Sequence, residues 1–156
     1  MSNQTTRGEL IAGSLKLLND LHLQYQDTTL SSAQLLALNA TPRTVVSAPG
    51  AGKCIVFEGA QLFLDYNSAA YAGIASGEDL AFKVADSSGS TVATVETTGF
   101  MDATADALRY VHPSTTAYTL QANQPLVIHM LTGEVTTGNS PIYVRVFYRV
   151  VPSTLS

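Results

Sequence analysis

Ser47-Ala-Pro-Gly-Ala-Gly-Lys-Cys54 is the stretch whose residue types come nearest to a recognisable chemistry, the cradling of a phosphate. A phosphate-binding loop begins with Gly, closes with Gly-Lys-Ser or Gly-Lys-Thr, and opens a helix. Here Ser47 stands where the first Gly belongs, and Cys54 replaces the hydroxyl that would hold Mg²⁺. Ile55-Val-Phe57 then reads as a strand, so the free amides of a helix N-terminus that bind phosphate are missing. The stretch is better explained as a Pro-Gly turn between two strands.

The remaining reactive side chains are equally poorly placed. Cys54 opens an apolar segment, and a nucleophilic thiol needs an electropositive setting and a nearby His. We expect it to be a small buried hydrophobe. Asp102 and Asp106 lie four apart, which on a helical turn would face both carboxylates one way, with Glu78 and Glu96 as further oxygen donors. The segment lacks the dense Asp/Asn/Gly alternation of a calcium loop. The plainer expectation is a surface turn capped by Asp102, with Leu108 and Tyr110 turned inward and Arg109 paired with an acid. His22, His112 and His129 have no ligand spacing, and His129 is expected to face solvent or an interface. There is no G-x-S-x-G elbow, and no paired acids of the kind glycoside cleavage requires. These absences lead to the expectation of a protein that is not an enzyme and uses no cofactor or metal.

The elements that would position such groups are strands. The chain has 156 residues, enough for one domain with a substantial core. Only 13 % of residues are charged, about half the ~25 % typical of globular chains. Thr, Ser, Ala and Gly make up the difference, a composition suited to sheets that contact other chains. The net charge of −4 and the scattered Lys and Arg argue against nucleic-acid binding. Apolar runs are too short to span a membrane. The single cysteine excludes an internal disulfide, and Met1–Arg7 lacks a signal-peptide layout, so synthesis in a reducing cytoplasm is expected.

The clearest strand is Ile142-Tyr-Val-Arg-Val-Phe-Tyr-Arg-Val-Val151. Ile142, Val144, Val146, Tyr148 and Val150 share one face, while Tyr143, Arg145, Phe147, Arg149 and Val151 share the other. Aromatics alternating with Arg suit a protein–protein contact, so Tyr143, Arg145 and Phe147 are the candidate subunit-interface residues. Further strands are expected at Leu21–Tyr25, Arg43–Ser47, Lys53–Tyr66 with a bulge at Gly59, Asp79–Ala85, Thr91–Thr97, Thr115–Leu120 and Pro125–Leu131. Asp86-Ser-Ser-Gly-Ser90 marks a hairpin. Ser31 and Ser32 precede good helix formers and Asn39 follows them, predicting one or two helical turns over Leu30–Leu38 that act as a plug or connector.

Residues 1–26 read as an arm and residues 27–156 as the β-domain. In the arm, Leu10, Ile11, Leu15 and Leu18 recur at helical spacing over Gly8–Leu21. Gly13 costs such a helix about 1 kcal/mol, so it needs a surface to pack on. Short strands punctuated by Gly, Ser, Asn and Pro indicate an all-β antiparallel sandwich, jelly-roll-like, with an N-terminal arm containing a short helix.

Four stretches resemble text found in small virion proteins of tailed bacteriophages. They are Leu35–Lys53, Thr98–Arg109 with Asn123–Val127, and Thr136–Pro152, within a likeness covering roughly residues 30–152. In size and composition the chain is most similar to head decoration (cement) proteins. The resemblance implies a structural protein on the outer surface of the head, bridging capsomers without covalent bonds. It also implies a homotrimer, with the major capsid protein and itself as partners, and no catalytic residues. Leu10, Ile11, Leu15 and Leu18 are the arm's candidate partner contacts. The competing expectation is a tail or head-fibre module that binds host-surface carbohydrate on a platform of Tyr66, Asn67, Tyr71 and Tyr110.

Overall fold

The computed structural model describes residues 22–114 and 119–154. In chain order the elements are β1 (Gln24–Leu30), α1 (Ser32–Leu35), β2 (Arg43–Val46), β3 (Lys53–Leu64), β4 (Leu80–Val84), β5 (Thr91–Val95), β6 (Ala107–Val111), β7 (Leu126–Met130) and β8 (Ile142–Pro152). The helix expected over Gly8–Leu21, with Leu10, Ile11, Leu15 and Leu18, lies outside the described residues, as does most of the strand expected at Thr115–Leu120. Thr119 and Leu120 are not in a strand. β1 begins later than the Leu21–Tyr25 alternation suggests and runs on through Asp27-Thr-Thr-Leu30, where β-branched threonines face a long partner strand.

The pairing is that of a jelly roll. β1 pairs with β8, β2 with β7, β3 with β6 and β4 with β5, all antiparallel. The chain thus doubles into one long ribbon. Rolling the ribbon sets β3 beside β8 and β4 beside β7. Two four-stranded sheets result, β1-β8-β3-β6 and β2-β7-β4-β5, the double-sheet solution to the edge-strand problem.

Alternation along each strand fills the space between the sheets. Leu62, Leu64, Ile142, Val144 and Val146 from the first sheet meet Leu80, Phe82, Leu126, Ile128 and Met130 from the second, all fully or almost fully buried. Phe57 and Phe82 bridge the layers with ring centroids 5.2 Å apart. Cys54 is buried at the start of β3, as its apolar surroundings imply. The register of β3 on β8 slips between Phe57 and Gly59, the bulge expected there.

α1 closes one end of the sandwich. Ser31 Oγ accepts from the Gln34 amide at 3.3 Å, and Gln34 Oε1 accepts from the Ser31 amide at 2.9 Å, a reciprocal capping box. Leu35 and Leu38 plug the core beneath it. The turn that follows is held by Glu134, whose carboxylate accepts from the amides of Asn39 and Ala40 at 3.0 and 2.7 Å. This turn corrects the placement of His129. Instead of facing solvent or an interface, His129 is buried under the turn, with Nε2 3.0 Å from the Asn39 carbonyl oxygen.

The other end is closed by two loops laced together. Thr136 donates its amide to the Ala72 carbonyl at 2.8 Å, Asn139 to Ala69 at 3.2 Å, and Asp65 to Pro141 at 3.1 Å. The Asn139 side chain accepts from the Ser68 and Ala69 amides. Tyr71 stands between the loops, 2 % exposed, and donates its hydroxyl to the Ser140 carbonyl at 2.5 Å. Burial pushes its pKa from 10.0 up to about 12. The folded state therefore keeps a proton that the unfolded chain releases near its ordinary value. This contribution to stability is complete below about pH 10 and disappears as pH rises through about 12. Tyr71→Phe should flatten the alkaline fall in the urea midpoint between those values, while costing about 1 kcal/mol at neutral pH for the unpaired Ser140 carbonyl. An unchanged alkaline limb would show that another group controls it.

Candidate interaction face

The outer face of the first sheet is where the structure gathers side chains able to bind. Register converts alternation on four strands into rows. Thr29, Tyr143, Phe63 and Leu108 form one row across β1, β8, β3 and β6. Asp27, Arg145, Gln61 and Tyr110 form the next, and Tyr25, Phe147 and Gly59 a third. All three candidate interface residues therefore point outward at alternate positions of β8. Tyr143 packs against Phe63 with centroids 6.3 Å apart and planes 29° from parallel. Phe147 is half-buried beside Gly59, and both line a depression of about 420 Å³ together with Leu23, Tyr110 and Arg149.

The charges on this face neutralise one another. Arg145 Nε lies 2.7 Å from Asp27 Oδ1 and a terminal nitrogen lies 2.8 Å from Oδ2, a two-pronged pair between adjacent strands. The same guanidinium sits 4.8 Å from the centroid of the Tyr25 ring. Arg149 pairs with Glu58 at 3.1 Å. The Arg145 hydrogen bonds hold the Asp27 carboxyl below its ordinary range; partial desolvation opposes this weakly and the Arg145 charge adds to it. A carboxyl lowered in the fold stabilises above its unfolded pKa, and that contribution is lost as pH falls through the folded value. Both partners are exposed, so solvent screens the pair and its effect on stability is small. Asp27→Asn should therefore blunt the acid-side fall in thermal midpoint slightly and leave neutral stability almost unchanged; a large neutral loss would contradict a solvated pair.

Two expectations about β6 are corrected here. Leu108 and Tyr110 do not turn inward; they are 43 % and 66 % exposed on the outer face. Nor does Arg109 seek an acid. It donates to the carbonyls of Gly99 and Leu108, with its guanidinium over the Phe100 ring at 5.3 Å. The Asp102–Asp106 segment is a surface turn, as expected, and leads into β6. Its carboxylates serve separate loops, Asp102 accepting from the Gly99 amide and Asp106 from the Tyr66 amide. Glu78 is buried and accepts from the Ala75 amide at 2.5 Å, while Glu96 is exposed. Among the described residues no His, Cys, Asp and Glu side chains gather closely enough to hold a metal ion.

The carbohydrate platform is not formed either. Tyr71 lies in the core while Tyr110 stands on the outer face. The Ser47–Cys54 stretch is a turn, with Gly50 donating to the Asn123 side chain at 3.0 Å, and it leads into a strand. Among the described residues no helix is long and apolar enough to cross a membrane.

No family model matches the chain, and no curated protein matches it. Among solved structures it is similar to the cyanophage Pam1 capsid asymmetric unit. The identity is 15 % and the TM-score 0.45, over 83 % of this chain and 84 % of that chain.

Proposed function

We propose that this protein is a structural component of a tailed-phage virion, which decorates the outside of the head and stabilises it by bridging capsomers. The observation that carries the reading is the segregation of apolar surface. Of the seven large hydrophobic residues exposed among the described residues, all but Leu120 lie on the outer face of the first sheet. Apolar rows on either side of a neutralised Asp27–Arg145 pair make an interaction surface. The resemblance of residues 30–152 to phage virion text supplies the setting.

In this reading Tyr143, Arg145 and Phe147 meet a neighbouring copy, and the arm residues Leu10, Ile11, Leu15 and Leu18 contact the major capsid protein. A shell filled with packaged DNA is pushed outward, and many weak, repeated contacts across subunit boundaries resist their separation. A closed trimer on a local threefold multiplies those contacts by avidity.

The test is copy number in purified virions, measured against the major shell protein. A fixed, shell-wide ratio is expected; a few copies per particle would move the protein to the tail or a vertex. Removal of the arm is the companion experiment. Because β1 starts at Gln24, the deletion should stop at residue 21, since a cut after residue 26 also removes three paired residues of the strand. Loss of co-sedimentation with undecorated heads is expected; undiminished binding would remove the arm from the contact.

A further inference from the structure

We propose that the open half of β1 is a pairing edge for a second copy of this chain, the two β1 strands running antiparallel about a twofold axis through Tyr25. This edge contact is separate from the outer-face contact proposed above and does not rest on it.

A strand at the edge of a sheet presents amides and carbonyls that no neighbour satisfies. Proteins blunt such edges with short strands, bulges, charges or covering segments. Three of the four edge strands here are blunted. β2 has four residues and slips register between Thr44 and Val46. β5 meets β4 across a slip between Phe82 and Lys83, and its Val92 carbonyl accepts from the Ser114 amide at 3.0 Å. β6 has five residues and carries Arg109. β1 has none of these devices. It runs seven residues along β8 without a slip and contains neither Pro nor Lys, and its one charge, Asp27, is already neutralised by Arg145. Among the described residues no strand pairs with its other side. The Thr28 hydroxyl reaches the Val45 carbonyl of β2 at 3.5 Å, which closes the seam toward Leu30 and leaves Leu23–Asp27 open.

The open stretch is complementary to itself. Tyr25 and Asp27 lie on the outer side of the sheet with Leu23, while Gln24 and Gln26 lie on the other. Both Leu23 and Tyr25 are exposed. With the axis through Tyr25, its ring meets the partner's Tyr25, Gln24 opposes the partner's Gln26, and Leu23 opposes the partner's Asp27. Directly opposed aromatics stabilise a strand pair, and no like charges oppose each other. The Arg145 guanidinium, 4.8 Å from the Tyr25 ring centroid, holds that ring in place. The alternatives are worse. An axis through Asp27 sets two carboxylates opposite each other, and one through Gln26 drives the second strand along Thr28 and Thr29, where β2 closes the seam. The result is a self-complementary twofold contact that makes two four-stranded sheets into one of eight.

Sedimentation equilibrium of the full chain tests this. The parent protein should show a reversible monomer–dimer equilibrium. Tyr25→Lys alone and Tyr25→Glu alone each oppose like charges on the axis, and should weaken the dimer about tenfold. An equimolar mixture of the two should restore it, which two misfolded chains could not do. Register is read by oxidation, since opposed residues of antiparallel strands lie within disulfide reach and Cys54 is buried. Tyr25→Cys should form a disulfide-linked dimer faster than Asp27→Cys, and Asp27→Cys should link readily to Leu23→Cys. A parent chain that stays monomeric at its highest soluble concentration overturns the proposal, whether the edge is vacant or covered by the same copy's own N-terminal residues. So does a dimer that the Tyr25 variants leave unchanged, or a mixture that fails to restore it. Loading onto heads plays no part in these readings, so they stand or fall apart from the capsid assignment.

Discussion

Phe63→Glu combined with Tyr143→Lys should leave a folded protein that no longer loads onto heads. The two rings are directly opposed on β3 and β8 and stack across the pair at 6.3 Å. Both side chains reach solvent, so neither replacement buries a charge. Opposite charges at directly opposed positions of adjacent strands attract, which preserves the sheet while converting the Tyr143–Phe63 row of its outer face to a polar one. If that face joins copies, its loss removes the avidity of the assembly, a factor of 10²–10⁴ for linked sites. A fall of about 100-fold in apparent affinity for undecorated heads is the expected reading in a co-sedimentation titration, with little change in thermal midpoint. Thr94→Lys on β5, in the other sheet, should load normally. Normal loading by the Phe63/Tyr143 variant would show that the face plays no part in capsid attachment.

How far such a face can be read from sequence depends on what sets it. The outward set on β8 was legible because ten residues alternate without interruption, and alternation needs no partner to be recognised. The bulge at Gly59, the Ser31 cap and the Asp86–Ser90 hairpin were legible because each is dictated by local backbone chemistry. The rows were not. That Phe63 and Leu108 continue the line of Tyr143 follows from strand order and register, which are contacts between distant segments. β6 itself was missed because only five residues form it, and Asp102-Ala-Thr-Ala-Asp106 ahead of it has helical spacing. Pairing with β3 overrode that local preference, and the same pairing turned Leu108 and Tyr110 outward. His129 failed for a related reason. Alternation places it opposite Ile128 and Met130 but is silent about the turn after α1 that buries it. Cys54, by contrast, was legible as a buried hydrophobe, because the residues that follow it along the strand are apolar.

Gly138→Ala should be the most damaging single change in the loop-laced end of the sandwich, lowering stability by about 3 kcal/mol. Gly138 has φ +124, a conformation that L side chains rarely adopt, and an added Cβ would lie 2.3 Å from Cδ1 of Tyr71. The ring cannot easily yield. It is buried, its hydroxyl is tied to the Ser140 carbonyl, and its amide donates to the Met101 carbonyl at 3.1 Å. Displacing Tyr71 also strains the adjoining ladder of Ala72 with Thr137 and of Asn139 with Ala69. In a domain of this size, that loss corresponds to a fall in thermal midpoint of roughly 10 °C. A double-mutant cycle with Tyr71→Ala separates the two contributions. In the Tyr71→Ala background the clash is absent, and Gly138→Ala should cost only the backbone strain, about 1 kcal/mol. Equal costs in both backgrounds would mean that the glycine is required for its backbone conformation alone, and that Tyr71 does not set the closure of that end.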